Sequence, residues 1–300
     1  MPLHEAYPIQ EFLNYLKFQK RYSPHTLTSY TNDLVALFDF LQAQYGETAL
    51  ADIKPTFVRS WLAELKQGGM ESKSIARKIS GLKSFFKYEL KQERIQVSPM
   101  ATIVAPKLNK RLPQFVETAD IATLLEVVEF PDDWEGRTQK MLINLLYQTG
   151  IRQAELVGLK ERQIDPGQLS IKVLGKGSKE RIIPVNTKLV NELKAYMADK
   201  RKTFEQFDAE YLLVNAKGKK LATGFVYRTV KKYLSLVTTI DKKSPHVMRH
   251  TFATHLMNNG ADLNAVKELL GHSSLAATQI YTHNTIEKLK DIHRKAHPKA

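Results

Sequence analysis

A short segment near residue 110 divides the chain into two parts with different patterns, and this division constrains the fold most. The segment VAPKLNKRLPQ, residues 104–114, is rich in proline and basic residues. No helical period of apolar residues runs through it, which favours an extended linker. We therefore predict two domains, residues 1–104 and 115–300, joined by a linker over residues 105–114.

The first part contains four segments with apolar residues at helical spacing. The second of them begins at Ser23 and Pro24, where serine can cap a helix and proline can occupy its first turn, and it ends at Gly46. The third ends at Gly68. A helical bundle is predicted.

The fourth helix of this bundle has an apolar stripe and an opposite polar face. The stripe consists of Ile75, Ile79, Leu82, Phe86 and Leu90. The polar face carries basic and hydroxyl side chains, Arg77, Ser80, Lys83, Ser84, Lys87 and Lys91. Such a face is often only solvated, but it also suits contact with DNA phosphates. Both interpretations stay open from the pattern alone.

The second part mixes helical segments with GQLSIKVLGKGSKERIIPV, which reads as two short strands around a glycine-rich turn. We predict a mainly α protein whose second domain is α+β with a small sheet. The chain has no cysteine, so disulfides and thiolate metal sites are excluded. It shows neither a signal peptide nor an apolar run of about 18 residues. A cytoplasmic location without membrane contact is expected.

The net charge of +14 points to a polyanionic partner, because Lys and Arg that neutralise phosphates release condensed counterions. The segment SPHVMRHTFATHLMNNG places His246, Arg249 and His250 within five positions. A metal site lacks the glutamate of the HExxH pattern, and a purely structural core would need a partner for Arg249. A phosphate clamp fits better, because guanidinium groups match phosphate oxygens.

Four other residues are weak signals when each is taken alone. Arg152 follows a helix break at Gly150, and Glu155 lies three residues on, where it can brace that arginine. Lys176 lies in the turn between the two strands, which does not have P-loop spacing, so ATP binding is unsupported. His272 and Tyr281 lie in the later segment LLGHSSLAATQIYTH.

Taken in order, TGIRQAEL, GKGSKERIIPV, HVMRHTFATHL and LLGHSSLAATQIYTH resemble the motifs of the tyrosine recombinase (phage integrase) family. The resemblance covers essentially the whole chain, including SIARKISGLKSFFKY, and it is strongest to the Xer subgroup. It implies an N-terminal SAM-like core-binding domain and a C-terminal catalytic domain. No departure is found at the six catalytic positions, Arg152, Lys176, His246, Arg249, His272 and Tyr281.

The resemblance implies a site-specific recombinase that cuts and rejoins DNA through a 3′-phosphotyrosyl intermediate on Tyr281. Arg152 and Arg249 would bind the phosphate, Lys176 would protonate the 5′-oxygen, and His246 and His272 would assist. Glu155 and His250 would support these residues, the latter by structural hydrogen bonds. No metal, ATP or other cofactor is implied.

The resemblance also implies a homo- or hetero-tetramer with a paralogous recombinase on its double-stranded DNA site, and a last helix that docks on a neighbouring subunit. It is compatible with activation by a septal DNA translocase. The expected role is resolution of chromosome dimers at cell division. The alternatives are an integrase of a mobile element and a non-catalytic DNA-binding protein of the same fold.

Overall fold

The computed structural model describes residues 7–107, 114–175 and 180–271, together with Ala296. The chain forms two compact units, Met1–Arg111 (unit 1) and Leu112–Ala300 (unit 2). The predicted fold class, mainly α with one small sheet in the second part, is confirmed. The bounds of the linker stay a prediction, since residues 108–113 lie outside the described residues.

Unit 1 is helical throughout its described residues. Its helices are α1 (Ile9–Asn14), α2 (Pro24–Tyr45), α3 (Pro55–Gln67) and α4 (Ser72–Lys91). A π-helical turn at Tyr15–Gln19 continues α1, and a 3-10 turn at Leu50–Asp52 precedes α3.

The ends of α2 follow the sequence signals. Ser23 is the N-cap, and its side-chain oxygen accepts a hydrogen bond from the backbone N–H of Thr26 at 3.2 Å. Pro24 is the first helical residue. Gly46 ends the helix with φ of 75°, a conformation that glycine adopts without strain.

One position in the predicted stripe of α4 is wrong. Ile75, Ile79, Leu82 and Phe86 are buried, but Leu90 is 36% exposed. Phe85 is buried instead, because its ring packs edge-on against those of Phe12 and Phe38, with centroids 5.4 and 5.8 Å away. These contacts with α1 and α2 turn the buried face of α4 towards Phe85.

Unit 2 combines helices with one antiparallel sheet. Its helices are α5 (Thr118–Glu126), α6 (Trp134–Thr149), α7 (Gln153–Val157), α8 (Thr187–Thr203), α9 (Thr223–Val237), α10 (Pro245–Asn258) and α11 (Leu263–Leu270). Its strands are β1 (Ile164–Asp165), β2 (Ser170–Leu174) and β3 (Glu180–Pro184), in the order β1-β2-β3. A 3-10 turn at Glu161–Gln163 precedes β1.

Helix α6 lies at the centre of unit 2 and contacts α7, α8, α9 and α10. Leu142, Ile143, Leu145 and Leu146 are all fully buried, so the helix is apolar on most of its circumference. This burial fixes the position of its last residue, Thr149, and of the turn that follows. Among the described helices, α6 included, none has the length and apolar character that crossing a membrane requires.

Candidate active site

The turn after α6 places Arg152 at the start of α7. Gly150 ends α6 with φ of 57°, and a Cβ atom there would lie 2.4 Å from the ring of Phe252. Only glycine therefore fits this turn without displacing the core. Arg152 donates twice to Glu155, from its backbone N–H to Oε2 and from Nη1 to Oε1, each at 2.8 Å.

A second arginine, Arg181 on β3, bonds to the same carboxylate. Its Nη1 donates to Glu155 Oε1 at 2.9 Å and its Nη2 to Oε2 at 2.7 Å. Both side chains are buried, with 4% and 7% exposed. The sequence analysis missed Arg181, although the strand alternation places it on the same buried face as Ile183. A charged residue on the apolar face of a strand was the signal.

The carboxyl of Glu155 is held ionised by these arginines. Burial alone would raise its pKa, but the hydrogen bonds from Arg181 and Arg152 outweigh burial and lower the pKa to about 2. Glu155 therefore stabilises the fold as an anion that two guanidinium groups share.

Replacing Glu155 by glutamine is expected to lower the free energy of unfolding at pH 7 by about 3 kcal/mol, because Arg181 loses its buried counter-charge. The contribution of a carboxyl with a lowered pKa is complete above its unfolded value near 4.5. It is lost as the pH falls towards 2, so the difference between the two proteins should shrink by about half at pH 3. Urea unfolding can be followed by Trp134 fluorescence in a Trp61→Phe background, since the chain has 2 tryptophans.

The matched control is Glu180→Gln. Glu180 pairs with Lys172 at 2.7 Å, but both side chains are 54% exposed. Its loss should change stability by less than about 1 kcal/mol at either pH. A Glu155→Gln effect that does not depend on pH would contradict the assigned ion pairing.

Arg249 lies on α10 and is buried at the ends of two other helices. Its Nη1 donates to the carbonyl of Gly150 at 2.6 Å, and its Nη2 donates to that of Leu270. Burial, together with the positive charges of Arg152 and Arg181, lowers the pKa of Arg249 to about 9. Arg249 was expected to need a partner if buried, and two backbone carbonyl groups accept its hydrogen bonds in place of a carboxylate.

The structure describes only some of the remaining predicted site residues. His246 lies in the first turn of α10 and is exposed, and His250, one turn later, is half-buried. Lys176, His272 and Tyr281 lie outside the described residues. Ala296, in the predicted inter-subunit helix, is buried with Phe252 and Leu256 of its own chain. Docking of that helix on a neighbour stays a prediction.

A second residue that the sequence analysis missed is His255 on α10. Its Nε2 lies 2.9 Å from the carbonyl of Val116, and its Nδ1 lies 3.1 Å from the hydroxyl of Tyr147. The backbone N–H of Val116 donates to Thr251 at 2.9 Å. Burial lowers the pKa of His255. Together these contacts fasten the first described segment of unit 2 to the helix that carries Arg249.

In unit 1, the predicted polar face of α4 is largely accessible. Ser80, Lys83, Lys87 and Lys91 are exposed, and Ser84 is half-buried. Arg77 differs from these residues, because its guanidinium bonds to the buried carboxylate of Asp33 and to Ser29. The Arg77 side chain is 46% exposed, but its guanidinium is engaged by these partners within unit 1.

The arginine cluster of unit 2 consists of Arg152, Arg181 and Arg249, and its net charge decides which ligands it can bind. Among the described residues, the carboxylate of Glu155 bonds to the guanidinium groups of Arg152 and Arg181 and acts on that of Arg249 only through its charge. The cluster therefore carries a surplus of positive charge in a partly buried place. An anion with several oxygen acceptors, such as a phosphate group, would offset that surplus and match the planar donors.

Comparison with protein families agrees with this chemistry. A model described as "Phage integrase family" matches residues 114–288, and one described as "Phage integrase, N-terminal SAM-like domain" matches residues 9–93. The two matches cover both units.

Individual relatives and solved structures extend the agreement. Tyrosine recombinase XerC of Chlorobaculum parvum is 35% identical over 97% of this chain and 94% of its own length. XerC of Thermodesulfovibrio yellowstonii is 37% identical over 97% and 96%.

Two solved structures share the fold at lower identity. The XerH recombinase bound to a palindromic difH substrate superposes with a TM-score of 0.71 at 22% identity, over 97% of this chain and 85% of that one. The Tn1549 transposon integrase in complex with circular intermediate DNA gives 0.68 at 21%, over 93% and 97%.

Proposed function

Because the chain belongs to the phage integrase family, as a tyrosine recombinase of the Xer subgroup, we propose that it resolves chromosome dimers by site-specific recombination through a 3′-phosphotyrosyl intermediate. The observation that carries this proposal is the cluster of Arg152 and Arg249, both fixed by hydrogen bonds in a site with surplus positive charge. That cluster is suited to one phosphate of the DNA backbone.

In the proposed reaction, the phenol oxygen of Tyr281 attacks the scissile phosphorus and the bond to the 5′-oxygen breaks. Arg152 and Arg249 bind the non-bridging oxygens, whose charge grows in the transition state. Lys176 gives a proton to the leaving 5′-oxygen, and a histidine, His246 or His272, takes the phenol proton. Glu155 holds Arg152, and His250 supports the site by hydrogen bonding.

The reaction needs no ATP, because a phosphotyrosyl ester replaces a phosphodiester of similar energy. The 5′-hydroxyl of a second strand can then attack the ester and release Tyr281. The cationic side chains supply the charge that a metal ion supplies in other nucleases.

A nicked suicide duplex tests this function directly. The 5′-hydroxyl on a short fragment diffuses away after cleavage, so the covalent product accumulates. Wild-type protein is expected to form an adduct that survives denaturing electrophoresis, and mass spectrometry should find the 3′-phosphate on the peptide containing Tyr281. Absence of the adduct on every duplex bound would argue for a non-catalytic DNA-binding protein.

DNA contact by the α4 face is the second part of the proposal. Lys83 and Lys87 are exposed on that face, and the carboxylate of Glu89 on the same helix is buried. Each Lys→Ala substitution should reduce the slope of log affinity against log salt concentration by about 0.9. Fluorescence anisotropy of a labelled duplex between low and moderate salt measures this slope.

Lys66, an exposed lysine in the last turn of α3, is the matched control for a general charge effect. Lys66→Ala should leave the slope unchanged. If the Lys83→Ala, Lys87→Ala double variant keeps the wild-type slope, the α4 face does not contact phosphates.

We further propose that the working form is a tetramer on two DNA sites, with either identical subunits or a paralogous partner, and that a septal DNA translocase activates it. Crosslinking in cells, followed by sequencing of bound DNA, separates the chromosomal role from that of a mobile-element integrase. A single chromosomal site supports dimer resolution, whereas recovery of element ends overturns it.

A further inference from the structure

Three arginines bond to three consecutive carbonyl groups at the end of α11. Arg181 Nε donates to Leu269 at 2.9 Å, Arg249 Nη2 donates to Leu270, and Arg152 Nη2 donates to Gly271 at 3.1 Å. The last carbonyls of a helix have no partners within it and carry partial negative charge. The end of α11 therefore fixes all three guanidinium groups together.

Arg181 differs from the other two arginines in how its nitrogens are used. Nε bonds to the carbonyl of Leu269, and both Nη atoms bond to the carboxylate of Glu155. Its side chain is 4% exposed. With every nitrogen engaged, Arg181 holds its neighbours instead of binding a substrate.

We propose that Arg181 is a positioning residue for strand cleavage, which joins Glu155 to the end of α11 and so fixes the Arg152 guanidinium against the scissile phosphate. The inference rests on the proposed function. It adds a residue on β3, the strand that follows Lys176 in the chain, to those that orient the phosphate-binding arginines.

Stability alone does not account for this arrangement. A buried ion pair is often no more stabilising than apolar residues of the same volume. A third guanidinium also adds positive charge beside Arg249, whose pKa burial and the charges of Arg152 and Arg181 already lower. Glu155 offsets part of this repulsion, and a bound anion would offset more of it, which fits a part in phosphate recognition.

The shape of the contact also requires arginine. One planar fork reaches both carboxylate oxygens of Glu155 and, through Nε, a carbonyl on another element. A lysine ammonium in that place could not keep the three bonds in one plane. Arg181→Lys should therefore preserve the charge but lose part of the positioning.

The test is single-turnover cleavage of the nicked suicide duplex at saturating protein, with DNA affinity measured on the same duplex. Arg181→Gln should slow adduct formation by about 100-fold, the loss expected from a small misplacement of a binding group, with affinity unchanged. Arg181→Lys should show a smaller loss. In an Arg152→Lys background, Arg181→Gln should slow the reaction by less than about threefold further, because both changes act on one unit.

Lys200→Met is the matched control for the loss of a buried cation. Lys200 is fully buried in unit 2, pairs with Glu161 and donates to the carbonyls of Tyr211 and Leu212. Lys200→Met should lower the melting temperature of the protein. At temperatures below that melting temperature, the variant should cleave DNA at the wild-type rate.

Three outcomes overturn the inference while leaving the proposed function intact. They are wild-type cleavage by Arg181→Gln, an equally large effect of Arg181→Gln in the Arg152→Lys background, and an equal cleavage defect in Lys200→Met. Failure of the wild-type protein to form any adduct overturns the proposed function, and the inference with it.

Discussion

Replacing Tyr281 by phenylalanine is expected to abolish the covalent protein–DNA product while leaving DNA binding unchanged. The substitution removes only the phenol oxygen, which is the proposed nucleophile. A phenol with a pKa near 10 is a weak nucleophile at neutral pH. In the proposed site, the positive charge around Arg152 and Arg249 would favour the developing phenolate. The adduct is measured on the nicked suicide duplex after denaturing electrophoresis, and binding is measured by anisotropy.

Tyr227→Phe is the matched control for this substitution. Tyr227 lies on α9 of unit 2 and is 46% exposed, so its hydroxyl is accessible to an adventitious reaction. It should form the adduct at the wild-type rate. Adduct formation by Tyr281→Phe would show that another side chain attacks the phosphate, and the proposed mechanism would then lose its nucleophile.

Most helix ends could be predicted from the sequence because they depend on local chemistry. Ser23, Pro24 and Gly46 delimit α2, and Gly150 ends α6, through caps and backbone preferences that act within a few residues. The predicted burial of Leu90 was wrong because it depends on long-range packing instead of local chemistry. Which side of α4 faces the core depends on Phe12 and Phe38, residues distant in the chain.

Contacts in the candidate site also differ between those that are local in sequence, which could be predicted, and those that are long-range, which could not. Arg152 and Glu155 are close in sequence, so their pairing follows from helical spacing. The contacts of Arg181 with Glu155 and of His255 with Val116 join residues 26 and 139 positions apart. Nothing local encodes such contacts. The sequence offers only the anomaly of a charged residue among buried neighbours, which does not name the partner.

Arg77 shows that an ion pair with another helix can change the role that a helix-face pattern predicts for a residue. The pattern of α4 places it with Lys83 and Lys87 on one polar face. Asp33 on α2, which is 1% exposed, accepts hydrogen bonds from the Arg77 guanidinium, although the Arg77 side chain is 46% exposed. The helix-face pattern treats the three cations alike. In the structure, the lysines are exposed and available to a ligand, whereas the guanidinium of Arg77 already bonds to Asp33.

Replacing Arg249 by lysine is expected to slow adduct formation by about 100- to 1000-fold with little change in DNA affinity, the size of effect seen when one oxyanion donor is removed. Within the described residues, two of its N–H groups bond to the carbonyls of Gly150 and Leu270. Arginine has five such groups, so donors remain for a phosphate oxygen after both carbonyls are bonded. The rate is measured under single-turnover conditions at saturating protein.

Lysine is the informative replacement because it keeps the charge. Alanine would leave two buried carbonyls without their donor, and the cost of that loss would confuse a catalytic effect with unfolding. An ammonium group has three donors on one nitrogen, so it cannot reach two carbonyls on separate helices and a phosphate together.

Arg201→Lys provides the control, since Arg201 also donates to a helix carbonyl, that of Met197, but is 55% exposed and is not part of the proposed site. It should cleave at the wild-type rate. If Arg249→Lys instead loses DNA affinity in proportion to its loss of rate, Arg249 binds the ground state and transition state equally, and its proposed part in stabilising the transition state is wrong.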